Sequence, residues 1–450
     1  MRLLNLAGVL AVASVLWPVC GQDVNSAGAA IPVYDGPAIL GRGGSKTGMR
    51  GKEPTPIHLQ ASINGSYDSS ILGYSVDNSG SLHPVATLGV TASLNVNGRK
   101  VWRRSYLGID YGGNYNHFAK NSFYNGTNHQ LNLSAGTQFN AKWALTSDVG
   151  AGTSNRFLGG PTFFTNNEFE FLNVPTSELF DSRSYFLGTT TSAIYSFSRR
   201  QSLRFGGTGS TVRRKARGLV DMQSYGANSD WVYRINRNAS MGVSYSFTHY
   251  DFTKVFGETD VHTIGWHYGR KFGRSVDFSV GLTGAKQSTV GVRTFALDPV
   301  LAAILGRSTG QEVFETNNLI YGYQASIGRR IRRSNITASA QRGIVPGNGF
   351  FLASINHTAG VSFNYTVTRD LALAAVSGYS RMTSLSFSSG AFSSWNAGAG
   401  ATYKLTEDFG LNARYDWRTF DLQQTNFGRT GYRVSIGVTY YPQKGIASIF

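Results

Sequence analysis

The chain has 450 residues, of which only 15% are charged, while 13% are aromatic and 54 are glycine. Disordered chains are charge-rich and poor in aromatics, and glycine costs a helix interior about 1 kcal/mol relative to alanine, so disorder and a helical bundle are both excluded. The formal net charge of +17 bears on partners and fields rather than on fold.

Residues 1–21 read as a signal peptide. Arg2 supplies the positive start, Leu3 to Leu16 is almost unbroken apolar sequence, and Val19 and Gly21 hold the small-residue positions ahead of Gln22. Cys20, the single cysteine, lies inside it. A mature chain without cysteine has no disulfide framework, thiolate metal site or cysteine nucleophile, and export also removes nucleic acid as a partner. Residues 22–56 read as a flexible periplasmic segment. Within it, Gly41 to Gly48 faintly evokes a phosphate loop, but Ser45 stands where glycine must precede Lys46-Thr47, and no apolar strand leads into it.

From Ile57 onward the pattern is alternation. Leu88, Val90, Ala92, Leu94 and Val96 interleave with Thr91, Ser93 and Asn95. Val243, Tyr245 and Phe247 interleave with serines and Thr248, and Val361, Phe363, Tyr365 and Val367 with Ser362, Asn364 and Thr366. Leu411, Ala413, Tyr415 and Trp417 alternate with Asn412, Arg414, Asp416 and Arg418. Tyr432, Val434, Ile436, Val438 and Tyr440 alternate with Arg433, Ser435, Gly437 and Thr439. Period two puts one apolar and one polar face on each strand. About eighteen such segments fit between Ile57 and Tyr441, each near or above the ~9–11 residues of a tilted membrane strand.

The connections sort into two kinds. Asn97-Gly98-Arg99, Ser198-Arg199-Arg200, Asn236-Arg237-Asn238, Arg332-Arg333-Ser334, Thr368-Arg369-Asp370 and Thr406-Glu407-Asp408 read as tight turns. The others are longer, with outliers at Ser154 to Asp181 and Lys286 to Glu312. Short turns at one end and longer loops at the other are the habit of an outer-membrane barrel. Over Ile57 to Tyr441 the chain therefore resembles the porin-like outer-membrane β-barrels of Gram-negative-type bacteria. The fold expectation is an all-β, transmembrane, antiparallel up-and-down barrel of about 18 strands over 57–442, followed by a short tail, 443–450. The resemblance implies that the insertion machinery recognises the last strand. Ser435-Ile436-Gly437-Val438-Thr439-Tyr440 matches the polar-x-Gly-x-x-aromatic part of that signal, whereas Pro442 departs from it and ends the strand. Lipid, lipopolysaccharide and the barrel-assembly machinery are the implied partners, and an oligomer is compatible with the architecture.

Parity aims Arg204, Arg234, Arg330, Lys404, Arg414, Arg418 and Arg433 at the lumen, against Asp110, Asp148, Asp277 and Asp416. Arg414, Asp416, Arg418 and Arg433 share the last two strands, where one carboxylate meets three guanidinium groups. Asp298-Pro299 through Gly306 reads as a short loop helix, with Asp298 as N-cap, Pro299 at the first helical position and Gly306 as terminator. It either packs on the mouth or narrows the lumen. Arg213, Arg214, Lys215 and Arg217 form a candidate lipopolysaccharide-contact patch on an outer hairpin. The eight histidines show no metal-site spacing; His58 and His267 fall on lumen parity and His262 on the opposite one. No Gly-x-Ser-x-Gly elbow occurs, so no catalytic, metal or cofactor residues are assigned and no enzyme is expected.

The functional expectation is an outer-membrane channel for passive or weakly selective diffusion of small hydrophilic, anionic solutes. Two alternatives stand beside it: a barrel serving exopolysaccharide export, and a structural or adhesive barrel displaying its loops.

Overall fold

The computed structural model describes residues 55–76, 82–119, 125–154, 183–215, 219–254, 257–273, 275–296, 298, 306, 308–346, 353–385, 391–422 and 427–442. The expected signal segment with Cys20, the Gly41–Gly48 run, residues 155–182, Arg217, Pro299 with the rest of the expected helix to Leu305, and the 443–450 tail lie outside them.

Eighteen strands follow one another in the chain. The first nine are β1 (Thr55–Val76), β2 (Leu82–Val101), β3 (Ser105–Phe118), β4 (Gly126–Gln138), β5 (Trp143–Ser154), β6 (Ser184–Ser196), β7 (Gln201–Arg214), β8 (Met222–Asn236) and β9 (Ala239–Asp251). The second nine are β10 (Gly257–Phe272), β11 (Val276–Ala296), β12 (Thr309–Ile331), β13 (Ser334–Pro346), β14 (Ala353–Thr366), β15 (Leu371–Ser384), β16 (Ala391–Lys404), β17 (Phe409–Leu422) and β18 (Phe427–Tyr440). Each pairs antiparallel with the next, and β1 also pairs with β18, from Ala61 opposite Tyr440 to Asp68 opposite Arg433. The sheet is a closed up-and-down barrel. Closure leaves no unpaired edge, the condition for placing strands in hydrocarbon, where no water can satisfy a free N–H or C=O.

The two faces follow the alternation. On β17 and β18, Leu411, Tyr415, Val434, Ile436 and Val438 are exposed outward, while Asn412, Arg414 and Thr439 are buried on the inner face. The outer surface continues around the wall through Leu88, Ile264, Leu282, Val361 and Trp395, with Ile436 62% exposed. So large an apolar surface is covered by lipid rather than by water. Among the described residues no helix is long and apolar enough to cross a membrane; the strands do so.

At one end of the barrel the connections are 102–104, 139–142, 197–200, 237–238, 273–275, 332–333, 367–370 and 405–408, none longer than four residues. A recurring local bond explains their compactness. The second residue of each four-residue turn accepts hydrogen bonds from backbone N–H groups two and three positions on: Asn140 Oδ1 from Lys142 and Trp143, and Ser198 Oγ from Arg200 and Gln201. Thr368 and Thr406 do the same for Asp370 with Leu371 and for Asp408 with Phe409. Short polar side chains close turns in this way. This is the turn end; the opposite one is the loop end.

Two expected connections differ. Asn97-Gly98-Arg99 is not a turn but paired strand, since the β2–β3 ladder continues from Asn97 opposite Asp110 to Val101 opposite Tyr106. The chain reverses at Trp102–Arg104 instead, where Trp102 N–H donates to the Ser105 carbonyl. Likewise, most of Lys286 to Glu312 is strand. The β11–β12 ladder runs without a break from Val276 opposite Arg329 to Ala296 opposite Thr309. Small polar residues on its inner face, such as Gln287 and Thr289, blur the apolar contrast that marks strands elsewhere. These two strands exceed the ~9–11 residues needed to cross a bilayer, so their hairpin stands beyond the membrane at the loop end.

Candidate functional site

The inner wall divides into unlike halves. From β1 to β4 it is lined by amides and hydroxyls bonded to one another. Asn116 Nδ2 and Asn128 Nδ2 both donate to Asn114 Oδ1 (3.2 and 2.9 Å), and Thr91 Oγ1 donates to Asn116 Oδ1 (2.8 Å). On the opposite side, toward the loop end, Val212, Met222, Tyr250, Val261, Ala285 and Ile320 form a buried apolar stripe across β7 to β12. Around an eighteen-stranded ring β9, which carries Tyr250, lies across from β18.

The densest charge sits where the barrel closes. Asp68 of β1 is fully buried. Arg418 Nη2 donates to both its oxygens (3.0 and 2.9 Å), and Arg433 donates to Oδ2 through Nε and Nη2 (2.9 and 2.7 Å). Beside them Arg414 donates to Asp416 Oδ1 through Nε and Nη2 (2.8 and 2.7 Å). Register brings the five together: Arg433 is cross-strand from Asp68 on one side and from Asp416 on the other. These are charge-assisted, in part bidentate contacts, the strong kind. Three guanidinium groups against two carboxylates leave a formal excess of one positive charge.

Of the lumenal candidates from sequence, Arg414, Asp416, Arg418 and Arg433 do converge. The second carboxylate, Asp68, was missed, and it corrects the expectation of one acid against three bases. Asp68 joins the cluster only through the closing register, which places it opposite Arg433. The remaining candidates are dispersed. Arg204 stands cross-strand from Asp230 on the inner face, and His267 Nδ1 lies 3.8 Å from Asp230 Oδ1. Arg234 turns toward the Asn236–Arg237 turn, donating to both carbonyls (3.1 and 3.3 Å). Arg330 and Lys404 sit at the turn end, Arg330 exposed. Asp277 pairs at the same rim with Lys271 at 3.4 Å, both exposed.

The basic run on the β7–β8 hairpin does not form one surface. Arg213 and Lys215 are exposed, whereas Arg214 is buried on the inner face, its Nη1 donating to the Val220 carbonyl (2.6 Å). Alternation forces this, because neighbouring residues on a strand cannot share a face. Asp298 and Gly306 are described, and Gly306 has φ +63°, a conformation glycine adopts without cost; the helix itself falls outside the described residues. His267 is buried on the inner face and His262 is exposed outside, against Phe247 and Tyr245.

No protein-family model matches the chain, and no curated protein matches it. Solved structures similar to it include Acinetobacter baumannii OccAB3, at 9% identity over 86% of this chain and 98% of that one, with a TM-score of 0.41. Pseudomonas aeruginosa OccK2 (OpdF) matches at 10% identity, 86% and 98% coverage and a TM-score of 0.43. Pseudomonas aeruginosa OpdL matches at 13% identity, 86% and 99% coverage and a TM-score of 0.40. The closed eighteen-strand topology itself defines the fold.

Proposed function

We propose that the protein is an outer-membrane channel through which small hydrophilic solutes diffuse, with a preference for anions. A barrel of this strand number encloses an aqueous passage rather than a packed interior. No chemistry is needed, only a wet wall and a field. The observation that carries the anion preference is the closure cluster of Asp68, Arg414, Asp416, Arg418 and Arg433, which fixes excess positive charge on the inner wall. Screening acts over roughly 10 Å at 0.1 M salt, a distance comparable with the half-width of a pore. Fixed charge in a low-dielectric wall therefore raises the local concentration of the opposite ion. The apolar stripe opposite leaves the wettest route along the polar side. In this reading the short turns face the periplasm and the loops face outward.

The test is single-channel conductance of the purified barrel in a planar bilayer, with the zero-current potential measured under a salt gradient. Conductance with anion preference supports the proposal. A barrel that inserts and conducts nothing overturns it in favour of an anchoring role.

A further inference from the structure

A row of two arginines about a histidine lies on the opposite surface of the wall, where lipid is expected. Arg342 of β13 is cross-strand from His357 of β14, and His357 is cross-strand from Arg381 of β15. Directly paired residues share a face. The pairs that continue these ladders toward the turn end include Ala338 with Val361 and Ile336 with Phe363, and Ile336, Val361 and Phe363 are outward-exposed apolar residues. Arg342, His357 and Arg381 therefore point outward, in a row that spans about 10 Å at the usual strand spacing.

Their height is set by the neighbours. Two residues from Arg381, toward the turn end, Tyr379 packs on Trp395 with ring centroids 4.8 Å apart, and Trp395 is 50% exposed. Tyr321, also outward and exposed, lies under the Arg342 guanidinium at 3.6 Å. Aromatic girdles mark the edge of the apolar band. The row stands about 7 Å beyond the Tyr379–Trp395 pair along the strand, at the level of lipid headgroups on the loop side.

Arg342 and Arg381 flank His357 in direct cross-strand register, so two guanidinium groups share one row of the outer face. Among the described residues no carboxylate pairs with any of the three. Stacking on Tyr321 holds the guanidinium plane fixed while its donors lie in that plane, the geometry that suits the oxygens of a phosphate. Water-facing arginines would be solvated; these are held against the bilayer edge.

We propose that Arg342, His357 and Arg381 form a binding site for the phosphate of a lipid headgroup in the outer leaflet, with Tyr321 as the platform that orients Arg342. The site is separate from the Arg213–Lys215 run, which lies on β7 and its loop. It requires that the loop end face the outer leaflet, but it does not require the barrel to conduct, so it can fail while the channel stands, and the reverse.

The test uses the full-length barrel in detergent, titrated with diphosphorylated lipid A, with the same lipid lacking its phosphates, and with inorganic phosphate as competitor. Binding is read by native mass spectrometry, and folding by heat-modifiable migration on a gel. Arg342→Gln with Arg381→Gln should weaken the phosphorylated lipid by about thirtyfold. The dephosphorylated lipid should bind the wild type and this variant alike. Arg270→Gln with Arg329→Gln removes the same charge from the outer face at the turn end and should change nothing. If the double variant does not fold, Arg381→Gln alone, at an exposed position, should still cost about fivefold. Equal loss in the turn-end control would show that the lipid reads overall charge, and the site would be refuted. Full competition by millimolar inorganic phosphate would refute a lipid ligand in favour of a free-anion site.

Discussion

Replacing Asp68 with asparagine keeps the shape of the side chain and removes its charge from the closure seam. In the native protein this buried carboxylate receives Arg418 and Arg433 at 2.7 to 3.0 Å. Stranding the partners of a buried ion pair costs about 3–5 kcal/mol. The Arg418 and Arg433 side chains keep 25% and 15% exposure, so water takes up part of the stranded charge, and about 3 kcal/mol is the expected loss. The assay is urea unfolding of the barrel in liposomes, followed by tryptophan fluorescence. Asp277→Asn is the internal control, since its contact with Lys271 is exposed on both sides and should be worth no more than about 1 kcal/mol. Adding Arg433→Gln to Asp68→Asn should cost less than the two single losses together, because both remove the same contact. If Asp68→Asn and Asp277→Asn destabilise equally, the seam does not hold the barrel closed.

Other outcomes follow from the same geometry. Gly437 faces Asn64 across the seam, and a Cβ there would collide with the Asn64 amide and the Ile63 carbonyl, so Gly437→Ala should lower the folded fraction on a heat-modifiability gel while Gly284→Ala, which meets nothing within 4 Å, should not. Ile436→Arg on the lipid face should cost about 2–4 kcal/mol, and Ser435→Arg on the inner face little; equal losses in urea titrations would mean that the faces are reversed. Thr406→Ala removes the acceptor that closes the last turn and should cost about 0.5–1.5 kcal/mol in the same titration, with conductance unchanged.

The fold was legible because barrel strands obey one short-range rule. Alternation such as Tyr432 to Tyr440 marks a strand and its two faces together, and the count of about eighteen needs no tertiary information. The rule weakens where both faces carry small or polar residues, which is why β11 and β12 read as loop between Lys286 and Glu312. A turn signal also misleads where the ladder carries through it, as at Asn97-Gly98. The site was half legible. Parity places Arg414, Asp416, Arg418 and Arg433 on one face of two adjacent strands, but Asp68 lies more than three hundred residues away and joins them only through the closing register. Parity likewise separates Arg213 from Arg214, although their adjacency in sequence suggests a single patch. The row of Arg342, His357 and Arg381 shows no sequence signal at all, since three strands must be registered before it exists.

Control of ion preference by charge on the seam is read by the zero-current potential of Arg418→Gln with Arg433→Gln under a salt gradient. That variant removes two of the three guanidinium groups of the cluster and with them its formal excess of positive charge. The expected result is a shift of the potential toward cation preference, in a barrel that still migrates as folded and still conducts. An unchanged potential with conductance intact would leave the arginines as braces of the wall, with no part in ion preference.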